Sequence, residues 1–391
     1  MSGRSRRTAS RAVLSRRALL RTGLGLLAVP ALAGCARSSA GPTGASAASG
    51  AASPTSAPAA AVASPAATVA ALPPSPNRPV AQVTIGVLGT SSDVVFFYPD
   101  EQGWFEHMKI EPQFERFDSG GRMVSSLAAN QIQIGGGSPS VGLYNAIARG
   151  VEVKIVADRA SGAPGYIFFV RKDLADSGAI RDYADLRGMR IAIAVKGTTA
   201  EVVVGRALEK GGLTMADAEV IEIPYADQVT ALSTGAIDVG VAPEPWPTIA
   251  VGRGVAVKWH TAADVDPHQE GSVLMYTGPF IEEEPAVARD FMVAFLMGVR
   301  AYNDAVVKKV PDTLAAIKKT ALERTSIKDP DLLERAEWTH VDPNGAIDRI
   351  GLENDYRWFR QYGGLTEMID LDQLVDMRFV DYAISVLGPY S

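Results

Sequence analysis

The chain contains 391 residues, of which 47% are hydrophobic and 21% are charged, so it is long enough to build the cores of two domains. Its formal net charge is −6, although residues 1–34 contribute seven arginines and no acidic residue, so the remainder is distinctly acidic. An acidic body argues against binding nucleic acid or an anionic membrane surface, because both are bound by basic patches.

Residues 1–34 are predicted to be an export signal. Ser15–Arg21 resembles a twin-arginine motif, and the apolar stretch that follows it is shorter than the ~20 residues needed to span a membrane. The general secretory route is the alternative. Leu32-Ala33-Gly34 then leads into Cys35 as in a lipobox, and Cys35 is the single cysteine of the chain. We therefore predict lipidation of Cys35, which would anchor the protein to the extracytoplasmic face of a cell membrane.

Residues 35–80 are predicted to form the lipidated cysteine and a disordered tether. The segment consists almost entirely of Ala, Ser, Pro, Gly and Thr, and it contains no aromatic residue. Such a composition cannot bury enough apolar surface to offset the entropy lost on ordering.

From residue 81 onwards, predicted strands and helices alternate, which indicates an α/β fold. Strands are predicted at 82–88, 110–117, 131–134, 153–157, 166–171, 190–195, 219–223, 236–241 and 273–277. A helical stretch leading to residue 103 is interrupted by Pro99. Further helices are predicted at 123–129, 141–149, 201–210, 228–233, 285–307, 311–322, 330–338, 345–362 and 371–382.

An internal repeat indicates two similar lobes. Residues 126–135 align with residues 231–240, and each segment is predicted to be a helix end, a turn and a buried strand. The helical tail is expected to pack back on the first lobe, so that lobe 1 comprises residues 81–171 and 272–391 and lobe 2 residues 172–271. Two crossings, near Arg171 and Gly271, would then form a hinge and a closing cleft.

No catalytic or metal motif stands out from the sequence. Gly136–Ser140 approaches a nucleophile elbow, but serine replaces the last glycine and a helix start explains it better. His260 and His268 flank an acidic loop that could hold a metal, but a solvated surface loop accounts for them more simply. We therefore predict a non-enzymatic protein without a cofactor or a metal.

Polar loops follow the predicted strands, and ligands of open α/β sheets bind at the carboxyl ends of strands. These loops are 89–93, 118–122 and 135–140 in lobe 1, and 196–199 and 243–247 in lobe 2. Hydroxyls and backbone N–H groups at helix starts can bind anions or carbonyl oxygens, and the alternative for each hydroxyl is a plain helix cap. Trp246 is either a stacking wall for a ligand or part of the packing between lobes.

The folded body resembles the substrate-binding proteins of ABC importers in the nitrate, sulfonate and taurine group (SsuA-like, NMT1/THI5-like), which also includes thiamine-pyrimidine-precursor and riboflavin binders. The segments that carry the resemblance are 83–86, 101–105, 126–127, 132–135, 149–157, 171–174, 185–192, 231–232, 235–238, 244–246 and 291–302. The resemblance implies a two-lobed type II periplasmic-binding-protein fold. It also implies a monomer that captures a small molecule in the interlobe cleft and delivers it to an ABC permease and its ATPase.

The resemblance also implies a set of ligand-binding residues. They are Ser91, Ser92, Asp93, Ser119, Gly120, Ser138, Ser140, Thr198, Thr199, Glu244 and Trp246. Asp93 and Glu244 could accept ligand N–H or O–H groups, and residues 96–98 add aromatic rings near the cleft. These features favour a heteroaromatic ligand over a bare oxyanion.

Two alternatives to an importer component remain open. Some relatives of the thiamine-pyrimidine branch are enzymes that consume their own histidine with the help of clustered cysteines around iron, and the absence of any cysteine after Cys35 argues against this chemistry. The second alternative is a sensor or solute-presenting protein that uses the same cleft without a permease, which the sequence does not distinguish from the first reading.

Overall fold

The computed structural model describes residues 72–391, so the predicted export signal, Cys35 and the tether up to residue 71 lie outside the described residues. The strands are β1 Ala81–Val87, β2 Ile110–Arg116, β3 Ile134–Gly137, β4 Val153–Ser161, β5 Ile167–Arg171, β6 Arg190–Ile193, β7 Glu219–Glu222, β8 Val239–Ala242, β9 Ala256–Thr261 and β10 Glu270–Thr277. The helices are α1 Val94–Glu101, α2 Trp104–His107, α3 Gly120–Ala128, α4 Val141–Ala148, α5 Lys172–Ser177, α6 Thr199–Lys210, α7 Tyr225–Ser233, α8 Trp246–Gly252, α9 Ala262–Val265, α10 Gly278–Glu283, α11 Pro285–Val306, α12 Pro311–Arg324, α13 Pro330–Leu333, α14 Arg349–Tyr362, α15 Leu371–Leu374 and α16 Arg378–Leu387.

The strands form two five-stranded mixed sheets with the same arrangement. The strand order is β2-β1-β3-β10-β4 in the first sheet and β7-β6-β8-β5-β9 in the second. In each sheet the first three strands are parallel, and the fourth is antiparallel to both of its neighbours. This arrangement confirms the predicted α/β class with two lobes, each a mixed sheet flanked by helices.

The antiparallel fourth strand of each sheet is the next strand in the chain after the edge strand of the other sheet. Thus β5 comes after β4, and β10 comes after β9. The strand β5 belongs to the second sheet, so the predicted division at Arg171 is wrong, and the chain crosses at residues 162–166. The reason is that β5 pairs with β8 and β9, which buries its apolar side chains in the second core. The return crossing lies at residues 266–269, immediately before β10.

The internal repeat has a structural counterpart at the starts of β3 and β8. Both strands begin three residues later than predicted, because Ile132 and Ile237 are buried in the turns that precede them. In each turn a side chain accepts a hydrogen bond from the neighbouring strand: Gln133 Oε1 from Thr84 N at 2.9 Å, and Asp238 Oδ2 from Arg190 N at 3.0 Å. The two lobes therefore share this junction as well as their strand order.

The tail helices build much of the first core around α11. Pro99 does not interrupt α1 as predicted, because the helix continues to Glu101 and Pro99 packs closely against Gly298 of α11. The three predicted C-terminal helices are shorter or divided, as α13 to α16 show, and β9 was not predicted.

Within residues 72–391, no helix is both long enough and apolar enough to cross a membrane.

Candidate functional site

A small cavity lies between the two lobes, where loops from both sheets meet. Its volume is about 30 Å³, roughly that of one water molecule in the liquid. Its walls carry several hydroxyl groups and one charged side chain, Arg159. The lining residues are Leu88, Thr90, Ser92, Ser138, Arg159, Ala160, Gly165, Tyr166, Pro243, Gly271, Ser272 and Thr339.

The charge of Arg159 is balanced by Asp93 within the wall itself. The two side chains form an ion pair and are 2% and 0% exposed. The other carboxylate oxygen of Asp93 accepts hydrogen bonds from the backbone N–H of Leu88 at 3.0 Å and of Thr90 at 2.9 Å. Arg159 also donates to the hydroxyls of Thr90 and Ser272, at 3.1 and 2.9 Å. Both oxygens of Asp93 are thus engaged by the protein and not free to accept from a ligand. The sequence had led us to expect the opposite, namely that Asp93 accepts a hydrogen bond from the ligand.

A chain of hydroxyl groups runs beside this ion pair. Ser138 Oγ donates to the carbonyl oxygen of Gly271 at 2.8 Å, and the Tyr166 hydroxyl lies 2.7 Å from Ser138 Oγ. The hydroxyl of Tyr225 donates to that of Tyr166 at 3.4 Å. Burial raises the pKa of Tyr166 and Tyr225, so both hydroxyls keep their protons at neutral pH. The chain links the two lobes across the cleft.

Four of the predicted site residues lie where the lobes touch each other, outside the cavity wall. Ser140 and Thr198 form an isolated antiparallel β-bridge, next to which Val141 N donates to Gly197 O at 2.8 Å. On the other side of the cleft, Ser91 N donates to the backbone oxygen of Glu244 at 3.2 Å. These residues hold the lobes in a closed arrangement.

The Glu244 carboxylate is fully engaged by protein groups. It pairs with Lys258 and accepts hydrogen bonds from Thr248 Oγ1 at 2.8 Å and from Glu337 N at 3.3 Å. Trp246 is half-buried against the second core and does not line the cavity. The carboxylate of Glu244, like that of Asp93, is therefore engaged by protein groups. This arrangement does not support the expectation that either residue accepts a hydrogen bond from a ligand.

Ser119, Gly120 and Thr199 are buried next to the cavity-lining loops. A Cβ atom on Gly120 would lie 2.4 Å from Ser138 N, so glycine is required for this close approach. The hydroxyls of Ser91, Ser119 and Thr199 are buried without a hydrogen-bond partner among the described residues. Ser92 and Ser138 are the two predicted site residues that line the cavity.

The predicted aromatic residues near the cleft belong instead to the first hydrophobic core. Phe96, Phe97 and Tyr98 are 0%, 3% and 9% exposed and pack among helices α1, α2 and α11. The ring that lines the cavity is that of Tyr166, whose hydroxyl accepts from Tyr225, and the sequence reasoning missed both residues.

Sequence reasoning also missed Arg159 and Ser272, and it placed Thr90 in the polar loop 89–93 without assigning it to the site. One signal was present, because Asp158-Arg159 places two charges directly after the mostly apolar segment 153–157 that was predicted as a strand. A charged pair continuing a buried strand at its carboxyl end is typical of a site that the sheet presents to a ligand.

The two histidines considered for a metal have other contacts. His260 stacks on Tyr183 with ring centroids 4.6 Å apart, and His268 Nδ1 lies 2.9 Å from an oxygen of Asp348. Across residues 72–391, no three His, Cys, Asp or Glu side chains are grouped so that they could hold a metal ion.

The architecture is similar to several solved structures. The alkanesulfonate-binding protein SsuA of Xanthomonas axonopodis pv. citri, bound to MOPS, is 18% identical with a TM-score of 0.60, over 78% of this chain and 98% of that one. The nitrate-binding protein NrtA of Synechocystis PCC 6803 is 15% identical with a TM-score of 0.64, over 79% of this chain and 89% of that one. The desulfurization enzyme DszB is 14% identical with a TM-score of 0.54, over 79% and 99%. No curated protein is significantly similar in sequence.

Two sheets of this strand order, joined by two crossings around a cleft, define a type II periplasmic-binding-protein fold. The model of the NMT1-like family matches residues 76–317, which is more than half of the chain. The chain therefore belongs to the NMT1-like family, in agreement with the resemblance drawn from its sequence.

Proposed function

We propose that the protein is an extracytoplasmic solute-binding lipoprotein that captures a small molecule between its lobes and delivers it to an ABC import permease. The observation that carries this proposal is the interlobe cavity, which is walled by hydroxyl groups and one neutralised guanidinium. Its position at the carboxyl ends of the parallel strands is the usual place for a ligand in open α/β sheets.

Capture requires the lobes to separate. A volume of about 30 Å³ is too small for organic solutes such as taurine or riboflavin, so the cleft must widen to admit one. Besides the backbone bonds, Val202 of lobe 2 packs in one apolar cluster with Tyr356 and Phe359 of the tail, so opening must also break these contacts. The crossings at 162–166 and 266–269 are short enough to act as hinges. Ligand affinity is then the balance between the contacts made by the solute and the interlobe bonds that it replaces.

The solute belongs, in our proposal, to the range from nitrate, sulfonates and taurine to heteroaromatic compounds such as a thiamine-pyrimidine precursor or riboflavin. We favour a heteroaromatic compound, because the Tyr166 ring lines the hydroxyl-walled cavity. Export, lipidation at Cys35 and a monomeric state complete the proposal, with the permease and its ATPase as partners on the same membrane.

Thermal unfolding of the full chain, refolded from denaturant to remove bound solutes, tests this proposal. The panel holds nitrate, taurine, alkanesulfonates, bicarbonate, thiamine, its pyrimidine precursor and riboflavin. A ligand present at 100 times its dissociation constant is expected to add ~2.7 kcal/mol of stability.

The matched control is Ser92→Trp, which places a large side chain in the cavity and should abolish the shift. A shift of the same size in that variant would mean that the solute binds elsewhere. Recovery of the solute with unchanged mass separates a binding protein from an enzyme.

A further inference from the structure

We infer that the cleft selects solutes without net negative charge, and that Asp93 sets this selection by neutralising Arg159. The inference rests on the proposed function, because it concerns the solute of the same cleft. It is not obvious from relatives named for sulfonate or nitrate binding, since both of these solutes are anions.

The first observation is the charge balance of the cavity wall. Arg159 is the one charged side chain in the lining, and Asp93 is paired with it at almost complete burial. The nearby ionisable groups are the two buried acids Asp158 and Glu270 and the group around Pro243. In that group Lys258 contacts both Glu244 and Glu337. The wall is therefore neutral and the adjacent group carries one excess negative charge, which disfavours an anion.

The second observation concerns the helix starts that the sequence had suggested as anion sites. At the start of α4, Val141 N donates to Gly197 O, and Leu143 N donates to Ser140 Oγ at 3.1 Å. At the start of α6, Gly197 N donates to Glu201 Oε2 at 2.6 Å. The Gly197 N–H, which precedes α6, and two backbone N–H groups at the start of α4 thus meet protein acceptors, one of them a carboxylate, which leaves fewer donors for an anion.

The third observation is what an anion would have to displace. An anion at the guanidinium of Arg159 would compete with Asp93, whose other oxygen is fixed by two backbone N–H groups. Displacement would leave a buried carboxylate without its counter-charge, which is strongly unfavourable. A neutral or zwitterionic solute avoids this cost, because it can use the Ser92, Ser138 and Tyr166 hydroxyls and leave the ion pair intact.

Taurine and isethionate form a matched pair of probes for this inference. They share the ethanesulfonate skeleton, and taurine is a zwitterion whereas isethionate carries one negative charge. We expect isothermal titration of the wild-type full chain to show weaker binding of isethionate than of taurine. Tighter binding of isethionate would overturn the inference.

Asp93→Asn removes the counter-charge and keeps an oxygen that can accept from Leu88 N and Thr90 N. We expect this variant to bind isethionate at least tenfold more tightly than the wild type does. The control is the double variant Asp93→Asn with Arg159→Gln, in which the wall is neutral again and the gain should disappear. A folded Asp93→Asn variant, as judged by circular dichroism, that shows no gain would overturn the inference.

A second measurement does not depend on any variant. Native mass spectrometry of the wild-type chain after incubation with a metabolite extract, followed by fragmentation of the released solute, identifies the compound and therefore its charge at neutral pH. A neutral, zwitterionic or cationic solute supports the inference, and an anion overturns it. Retention of no solute at all, together with no shift in the thermal panel, would count against the proposed function itself and is therefore a distinguishable result.

Discussion

Two acid–base pairs flank the cleft, one in each lobe, and they occupy corresponding places in the two sheets. Arg159 lies on β4 and Lys258 on β9, which are the equivalent edge strands. The pair of Arg159 with Asp93 is closed to solvent, whereas Lys258 is 23% exposed and is shared between Glu244 and the half-exposed Glu337. The same architecture thus carries a sealed ion pair in lobe 1 and a partly solvated one in lobe 2.

The difference in solvent exposure indicates that the two ion pairs have different roles. In the sealed pair Arg159 lines the cavity and Asp93 balances its charge, while the solvated pair ties the loop after β8 to the tail segment around Glu337. Removing the base from each pair should therefore have unequal consequences.

Arg159→Met should be the most damaging single change. It leaves Asp93 buried without a counter-charge, which costs about 3–5 kcal/mol of unfolding free energy. Lys258→Met should cost roughly half as much, because Glu244 keeps three other hydrogen-bond donors and water can reach the position of the ammonium group. Urea-induced unfolding of both variants measures the difference, and an equal or larger loss in Lys258→Met would contradict the comparison.

The ion pair of Asp93 with Arg159 is balanced in charge, whereas Asp158, on the same strand as Arg159, is paired with a second acid, Glu270. Measuring the unfolding free energy as a function of pH contrasts the two pairs. Asp158, next to Arg159, shares a hydrogen bond with Glu270, and burial raises the pKa of Asp158 to about 7 and that of Glu270 as well. Because the folded state holds these protons more tightly than the unfolded state, stability should fall as the pH rises from about 4 to about 7.

Each carboxyl group whose pKa is raised to about 7 should contribute on the order of 3 kcal/mol to this loss. Urea unfolding at pH 4.5 and pH 7.5 measures it, and Asp158→Asn should make the fall smaller. Some fall should persist in that variant, because burial also raises the pKa of Asp355 to about 7. A wild-type stability that rises across this interval would refute the proton-sharing account.

Gly135 and Gly240 occupy corresponding positions in the internal repeat. Replacing each of them compares the packing of the two lobes, with smaller expected effects on stability. A Cβ on Gly240 would lie 2.4 Å from the buried Phe169 ring, whereas one on Gly135 would meet the movable methyl groups of Leu127 at 3.1 Å or more. Gly240→Ala should therefore cost about 1–3 kcal/mol and Gly135→Ala less than about 1 kcal/mol. Thermal unfolding of the two variants, run side by side, measures the difference, and the reverse order would contradict the packing described for lobe 2.

Local patterns were enough to predict most of the fold. Hydrophobic periodicity and the aligned segments 126–135 and 231–240 predicted two α/β lobes, because both lobes use the same helix–turn–strand junction. The crossing at residues 162–166 was misplaced, since nothing local in β5 indicates which sheet it joins. The tail helices were predicted too long because their ends depend on packing against distant strands.

The site was less predictable than the fold. The sequence directed attention to the correct loops, and Ser92 and Ser138 do line the cavity. It did not reveal that Asp93 and Glu244 are paired, because their partners Arg159 and Lys258 are distant in sequence and meet them only through the sheets. Charge balance in a cleft is a tertiary property that single motifs do not encode.

A disulfide that locks the lobes tests the central claim most directly. Ser140 and Thr198 form an antiparallel bridge between the lobes, a geometry close enough for a disulfide. The variant Ser140→Cys with Thr198→Cys, in a Cys35→Ser background, can be compared in its oxidised and reduced forms with the solute that stabilises the wild type. We predict that the oxidised form, closed around a cavity of about 30 Å³, does not bind and that reduction restores binding. Equal binding in both forms would show that the solute does not enter between the lobes, which would contradict the account.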